Sequence, residues 1–164
     1  MSRRIAIVGS GAVGAYLGGY LARAGEDVTL IDAWPEHVEH MRKHGLTLSG
    51  LSEEECFTTP VQAMHITEVQ TLVRTGPVDI AFVCTKSYDT EWATMLIRDY
   101  LAPTGFIVSL QNCINEPRIA SIVGWGRTLG CIASQIAVEL VAPGEVRRGV
   151  PRGGNAHTIG RAHV

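Results

Sequence analysis

Little in this chain of 164 residues is aromatic or charged: aromatics make up 6% and Asp, Glu, Lys and Arg together 18%, against 46% hydrophobic residues. The hydrophobic share excludes disorder, because disordered chains are poor in apolar residues and rich in charge. A domain of this size buries roughly 70% of the surface its unfolded chain exposes, so 1–164 reads as one domain that needs no staples. Neither charge sign is in excess, with 14 Lys and Arg against 16 Asp and Glu and a net charge of -2. Nucleic acid is not an expected partner, since phosphate neutralisation needs a basic patch. No stretch reaches the roughly 18 apolar residues of a membrane span, so no membrane partner is expected either. The four cysteines, Cys56, Cys84, Cys113 and Cys131, form no C-x-x-C pair and have no His at finger spacing. Free thiols, a reducing compartment and a cytoplasmic location follow as expectations. Ser2-Arg3-Arg4 before a small apolar stretch imitates an export signal, but the five glycines from Gly9 to Gly19 have a sharper explanation.

Residues 4–8 are a β-branched run that stops at glycine, and a helical pattern follows with Val13, Leu17, Leu21 and Ala24 on one face, ended by Gly25. A second strand at 28–31 closes at Asp32. Pro35 then suits the first turn of a helix carrying Trp34, Val38 and Met41, with Arg42, Lys43 and His44 in its last turn and Gly45 as its stop. Residues 46–48 and 57–61 are weaker strand candidates around an acidic surface turn at 52–55. The run 78–84 is apolar apart from Asp79, as a strand buried on both faces should be. A helix at 89–101 would turn Trp92, Met95 and Leu96 inward, Pro103-Thr104-Gly105 reads as a turn, and 106–110 is another buried strand. A short helix at 116–123, one or two strands in 128–141, a hairpin turn at Pro143-Gly144, a loop at 152–154 and a strand at 156–159 complete the chain. Strands alternating with helices predict an α/β fold: a Rossmann-type, doubly wound and mostly parallel sheet.

Gly9-Ser10-Gly11-Ala12-Val13-Gly14 is a G-x-G-x-x-G run between the first strand and its helix, with Asp32 at the end of the next strand. A lone glycine triplet is weak evidence, but this context makes it a dinucleotide fingerprint. Gly9 permits the tight turn, Gly11 lets the backbone approach a pyrophosphate, and Gly14 lets the helix pack closely on the sheet. Gly18, one turn further, extends that contact. Asp32 is placed to accept hydrogen bonds from the ribose hydroxyls of NAD, and a 2'-phosphate would set like charge against it, so NAD is preferred over NADP. Trp34 is available to stack on the adenine.

Lys86 and Asn112 each directly follow an apolar strand, and ligands of open parallel sheets sit beyond the carboxyl ends of the strands. Both should face one crevice, where a lysine offers charge and an asparagine donates and accepts at a hydroxyl. From the residues alone, a solvated lysine and a turn asparagine bonding its own backbone are the favoured alternative.

The order Ile5-Ala6-Ile7-Val8-Gly9-Ser10-Gly11-Ala12-Val13-Gly14, Val83-Cys84-Thr85-Lys86, Ser109-Leu110-Gln111-Asn112, Pro143-Gly144-Glu145-Val146 and Thr158-Ile159-Gly160 resembles the amino-terminal domain of the ketopantoate reductases (2-dehydropantoate 2-reductases). The resemblance implies reduction of a 2-oxo acid, 2-dehydropantoate to pantoate for pantothenate synthesis, by hydride from NAD or NADP. It also implies that Lys86 and Asn112 line the nicotinamide and substrate pocket, with Glu116 at an acidic position after that asparagine. Members of the family run to about twice this length, and their second, all-helical domain supplies a proton-donating lysine and a substrate-binding carboxylate. That domain is not visible here, so the expected chain is a cofactor-binding domain without its catalytic partner, inactive alone. A homodimer is left open.

Cys113 stands where a glycine usually follows the asparagine in this family. A thiolate nucleophile would need a positive neighbour, and a small buried side chain is the expected role. His37, His40 and His44 are spaced as metal ligands on one helix face, yet they alternate with Glu36, Glu39 and Arg42, so a solvated face and no metal are expected. Two other functions fit the fingerprint. One is an NAD-dependent dehydrogenase of another 2-oxo acid, such as a mandelate-type substrate, and the other a non-catalytic dinucleotide sensor, which has no reason to keep both Lys86 and Asn112.

Overall fold

A computed structural model describes residues 3–133, 136–149 and, as backbone only, 157–161. The chain runs β1 (Arg4–Val8), α1 (Ala12–Arg23), β2 (Asp27–Asp32), α2 (Pro35–His44), β3 (Leu46–Ser49), β4 (Phe57–Thr59), β5 (Gln62–His65), α3 (Leu72–Thr75), β6 (Val78–Val83), α4 (Thr90–Arg98), β7 (Leu101–Leu110), α5 (Glu116–Val123), β8 (Thr128–Ala133), β9 (Val138–Ala142), β10 (Glu145–Arg148) and β11 (His157–Arg161). Among the described residues the strands form two sheets. The larger has the order β11-β8-β7-β6-β1-β2-β5, and all its pairings are parallel except β11 on β8. Six strands thus follow the order of a doubly wound dinucleotide-binding fold, as expected.

Alternation along the central strands explains why both faces are covered. Ile5 and Ile7 of β1 join Val28 and Leu30 of β2 in one core with Tyr16 of α1. Ala6, Val8 and Ile31 point to the other face, where they meet Ala93 and Ile97 of α4 and Ile119 of α5. No helix among the described residues is long and apolar enough to cross a membrane.

The second sheet, β4-β3-β10-β9, was not legible as a sheet. Its centre pairs β3 with β10 in parallel, Leu48 opposite Val146, across nearly a hundred residues. It packs on α1, so that helix lies between two sheets; of the expected face, Val13, Leu17 and Leu21 are partly buried against the cores while Ala24 is exposed. The buried stripe is Gly14, Ala15, Tyr16, Gly18 and Gly19. A Cβ at Gly18 would lie 2.2 Å from Leu30 Cδ2 of the large sheet, and one at Gly19 2.4 Å from Leu48 Cδ1 of the small one. Each glycine costs a helix about 0.8–1 kcal/mol relative to alanine, a cost the two close sheet contacts offset.

Other local expectations also yield to tertiary structure. The strand expected at 57–61 stops at Thr59, before Pro60, and Gln62–His65 forms a separate strand on β2. Pro103-Thr104-Gly105 is a bulge inside a single strand rather than a turn: pairing with β6 jumps from Val78–Leu101 to Ile80–Phe106. Arg127 satisfies the bulge by donating from Nε to Gly105 O at 2.7 Å and from NH2 to Ala102 O at 2.8 Å. In α4 the inward residues are Ala93, Thr94 and Ile97, whereas Trp92 and Met95 are about half exposed. The acidic turn at 52–55 is a single 3-10 turn in which Glu55 is buried and accepts from Leu51 N–H. The loop expected at 152–154 lies outside the described residues, and the last strand spans His157–Arg161.

Candidate functional site

The carboxyl ends of β1, β2, β6 and β7 open on a cavity of about 560 Å³, within the size range of cofactor pockets. It lies where the strand order reverses, between β1 and β6, as ligand crevices of open α/β sheets do. Of the nine residues expected to form the site, all but Ser10 and Gly14 line this cavity.

The glycine loop forms its floor. Gly9 adopts φ +91°, and its N–H donates to Ile31 O at 2.9 Å while Cys84 N–H donates to Val8 O at the same distance. The three central strands therefore stay paired up to the cavity rim. A Cβ at Gly9 would lie 2.8 Å from Thr85 N, and one at Gly14 only 2.1 Å from Gly9 O. A Cβ at Gly11 would meet nothing within 4 Å, so the space beside it is open to a ligand. Gly11 caps α1 without a side-chain hydrogen bond, and no acidic residue occupies the first turn. The first-turn amides thus keep their attraction for an anion.

Asp32 is held at the rim. Trp34 N–H donates to its Oδ1 at 3.0 Å and Ser10 Oγ to its Oδ2 at 3.3 Å, which orients the carboxylate and leaves lone pairs for further donors. Trp34 itself stacks on the His37 ring, with centroids 5.8 Å apart. Arg42, the first Arg or Lys after Asp32 in the sequence, is committed elsewhere: it donates to Ala63 O, Glu39 and Glu68, and its hydrogen bond holds Glu68 below the ordinary carboxylate range.

Lys86 and Asn112 face the same cavity from neighbouring loops, both exposed. The backbone of Asn112 is fixed, its carbonyl accepting from Ser87 Oγ at 3.1 Å and Asn115 Nδ2 at 2.8 Å. Its side chain forms no bond to its own backbone, contrary to the turn-residue alternative. Gln111, passed over in the sequence, laces the two loops together. Its buried amide donates to Thr85 O at 2.8 Å and Thr90 Oγ1 at 2.9 Å, and its carbonyl accepts from Ser109 Oγ at 3.1 Å. A polar residue directly after an apolar strand was the available signal. Trp92 and residues 136–138, also in the wall, carried no signal, since only the second sheet brings β9 there.

Three further expectations are corrected or refined. Cys113 is exposed rather than buried, and it adopts φ +71°, a region glycine enters freely and other residues rarely. Glu116 does not line the cavity: it begins α5 and lies against Gly130 of β8. His37 is wholly buried, while His44 on the same helix is exposed. No group of three His, Cys, Asp or Glu suited to a metal occurs among the described residues. Cys84 shows part of its surface to the cavity but is otherwise packed among apolar groups. That desolvation, with the Cys131 thiol as second cause, raises its pKa well above the ordinary thiol range.

Comparison with known proteins matches residues 5–161 to the family described as Ketopantoate reductase PanE/ApbA. A 2-dehydropantoate 2-reductase of Pyrococcus horikoshii is 37% identical over 144 residues, covering 87% of this chain and 43% of that protein. A crystal structure of a PanE/ApbA family ketopantoate reductase from Ralstonia eutropha superposes with a TM-score of 0.76 at 33% identity, over 88% of this chain and 46% of that one. The fold also matches D-mandelate dehydrogenase, solved with NADH and anilino(oxo)acetate, with a TM-score of 0.78 at 24% identity. The chain spans less than half the length of these relatives.

Proposed function

Because the chain belongs to the ketopantoate reductase family, we propose that it is the cofactor-binding half of an oxidoreductase that reduces a 2-oxo acid with NADH or NADPH. The substrate that fits the family name is 2-dehydropantoate, which gives pantoate for pantothenate synthesis. The observation that carries this reading is the single cavity onto which the uncapped start of α1, Asp32, Lys86 and Asn112 all open.

The residues present fit a dinucleotide. The open space at Gly11 and the first-turn amides of α1 suit its diphosphate. The Asp32 carboxylate suits the adenosine ribose hydroxyls, and Ala33 and Ile66 offer an apolar surface beside it. Thr85 Oγ1, in the wall against Gly9, is buried without a partner among the described residues. When bound, the cofactor supplies the hydride.

Lys86 and Asn112 then act at the far end of the crevice. The Lys86 ammonium draws the substrate carboxylate or a ribose hydroxyl by charge, and the Asn112 amide donates to and accepts from a hydroxyl. Gln111 and Ser87 keep the backbones of the two loops in register. Polarising the carbonyl and protonating the developing alkoxide would fall to a helical domain of the kind the family carries. This division of labour favours an enzyme over a dinucleotide sensor, which needs only the glycine loop and Asp32.

Calorimetric titration of the 164-residue chain with NADH, followed by an assay of 2-dehydropantoate reduction, tests the reading. One cofactor should bind per chain, with no turnover at the rate of a complete reductase, since a missing general acid alone costs about 10² to 10⁴-fold. Absence of NADH binding would overturn it.

A further inference from the structure

Ser10, the first variable residue of the glycine loop, is wholly buried with its carbonyl directed at a histidine. His37 Nε2 lies 2.8 Å from Ser10 O, and Gly144 N–H donates to His37 Nδ1, also at 2.8 Å. A carbonyl only accepts and an amide N–H only donates. Both bonds are therefore satisfied by one form of the ring alone, neutral and protonated on Nε2. His37 is fully buried, so the Ser10 carbonyl and the Gly144 N–H would both be left unsatisfied at a cost if the ring were lost.

The consequence reaches the cavity through peptide geometry. The described peptide bonds are all trans, so the Ser10 C=O and the Gly11 N–H lie antiparallel across one rigid plane. Anchoring the carbonyl on His37 turns the Gly11 amide the opposite way, at the residue beside which the cavity is open. Ser10 also donates from Oγ to Asp32 Oδ2. Gly144, the other partner, is at the turn between β9 and β10, and the start of β9 forms part of the cavity wall. One side chain thus bridges the glycine loop to the second sheet at Gly144, 107 residues beyond the histidine in sequence.

We propose that His37 is a positioning residue for the cofactor: by gripping the Ser10 carbonyl and the Gly144 amide it fixes the Ser10–Gly11 peptide in the orientation that offers the Gly11 N–H to a diphosphate. This rests on the reading of the cavity as a dinucleotide site. The ring touches no ligand itself. It acts by removing the reorganisation that a free peptide plane would undergo on binding.

The test uses the 164-residue chain with NADH as probe and compares His37→Leu, which keeps bulk but loses both bonds, with His37→Gln, which keeps a donor and an acceptor. Dissociation constants are measured well below the unfolding midpoint of each variant, so that only folded protein is titrated. Expected are a roughly 10-fold or greater weakening for His37→Leu and recovery to within about threefold for His37→Gln. A lower midpoint with an unchanged dissociation constant for His37→Leu would show a purely structural histidine and overturn the proposal. Failure of the parent to bind NADH would instead remove the cofactor reading and this role with it. Should His37→Leu not fold, the parent still decides: long-range proton–nitrogen NMR must find the ring neutral with its proton on Nε2, and a proton on Nδ1 would refute the bridge.

Discussion

Two alanine substitutions in the glycine loop should have opposite effects, because the backbone surrounds one glycine and leaves the other open. At Gly14 a Cβ would sit 2.1 Å from Gly9 O and 3.1 Å from Gly9 C and Ile7 Cγ2. The nearest obstacle is backbone of the loop itself, so no side chain can swing aside. The loop and α1 would have to part by about 1 Å to restore ordinary contact, and overpacking of this kind costs about 1–3 kcal/mol. For a domain of this size each kcal/mol lowers the unfolding midpoint by about 2–4 °C, so Gly14→Ala should lose on the order of 2–12 °C. At Gly11 a Cβ meets nothing within 4 Å, and its φ of -63° is open to alanine. Gly11→Ala should leave stability unchanged or raise it by up to about 1 kcal/mol, through a less free unfolded chain. The added methyl would, however, occupy the space assigned to the diphosphate, weakening NADH about tenfold or more, equivalent to about 1.4 kcal/mol. Thermal unfolding without ligand and NADH titration of both variants separate the effects. A Gly11→Ala protein that is markedly destabilised, or that binds NADH as tightly as the parent, would refute the reasoning.

Titrating both cofactors into the chain should give NADH a 10 to 100-fold advantage over NADPH, about 1.4–2.8 kcal/mol, because Asp32 repels a 2'-phosphate and Arg42 is engaged with Glu39 and Glu68. Equal or tighter NADPH binding would mean that another basic group reaches the ribose. In a polypeptide that joins this domain to a helical partner domain, Asn112→Ala and Lys86→Ala should each lower kcat/KM roughly 5 to 150-fold, and kinetics within twofold of the parent would contradict their assignment. Thiol titration at pH 8 should find Cys56 and Cys113 fast and Cys84 and Cys131 slow, since burial raises the latter two. A folded-state pKa raised for Cys84 stabilises the protein fully below the unfolded thiol's value of about 8.5, and stability should fall as pH rises beyond it. Cys84→Ala should flatten that fall in pH-dependent unfolding, and an unchanged slope would argue against it.

Where local chemistry decided the structure, the sequence could be read. The stop of β1 at glycine, Pro35 opening α2, and the helix at Glu116–Val123 all followed from capping and periodicity. So did the site's outline, because strand ends of an open parallel sheet converge and Lys86 and Asn112 each follow one. What escaped was fixed by partners distant in the chain. Pro103-Gly105 has turn chemistry, but the β6 ladder and Arg127 hold it as a bulge. Trp92 has the size of a core residue, but α4 turns Ala93, Thr94 and Ile97 inward and leaves Trp92 at the cavity rim. His37 shares a helix with wet residues but is buried where Gly144, Ser10 and the Trp34 ring meet it. Gly19 lay beyond the fingerprint, and only the unforeseen second sheet explains it.

In the proposed function the cavity beyond β1, β6 and β7 binds a nicotinamide dinucleotide with its diphosphate on the start of α1. At 17.7 kDa the chain is small enough for amide proton–nitrogen spectra to follow NADH binding residue by residue. Binding at this site should give saturable shifts centred on the Gly9–Gly14 amides, Asp32, Lys86 and Asn112, with the Gly11 amide moved downfield by a charged acceptor. Saturable shifts centred elsewhere on the chain, or a glycine loop unmoved at saturation, would contradict it.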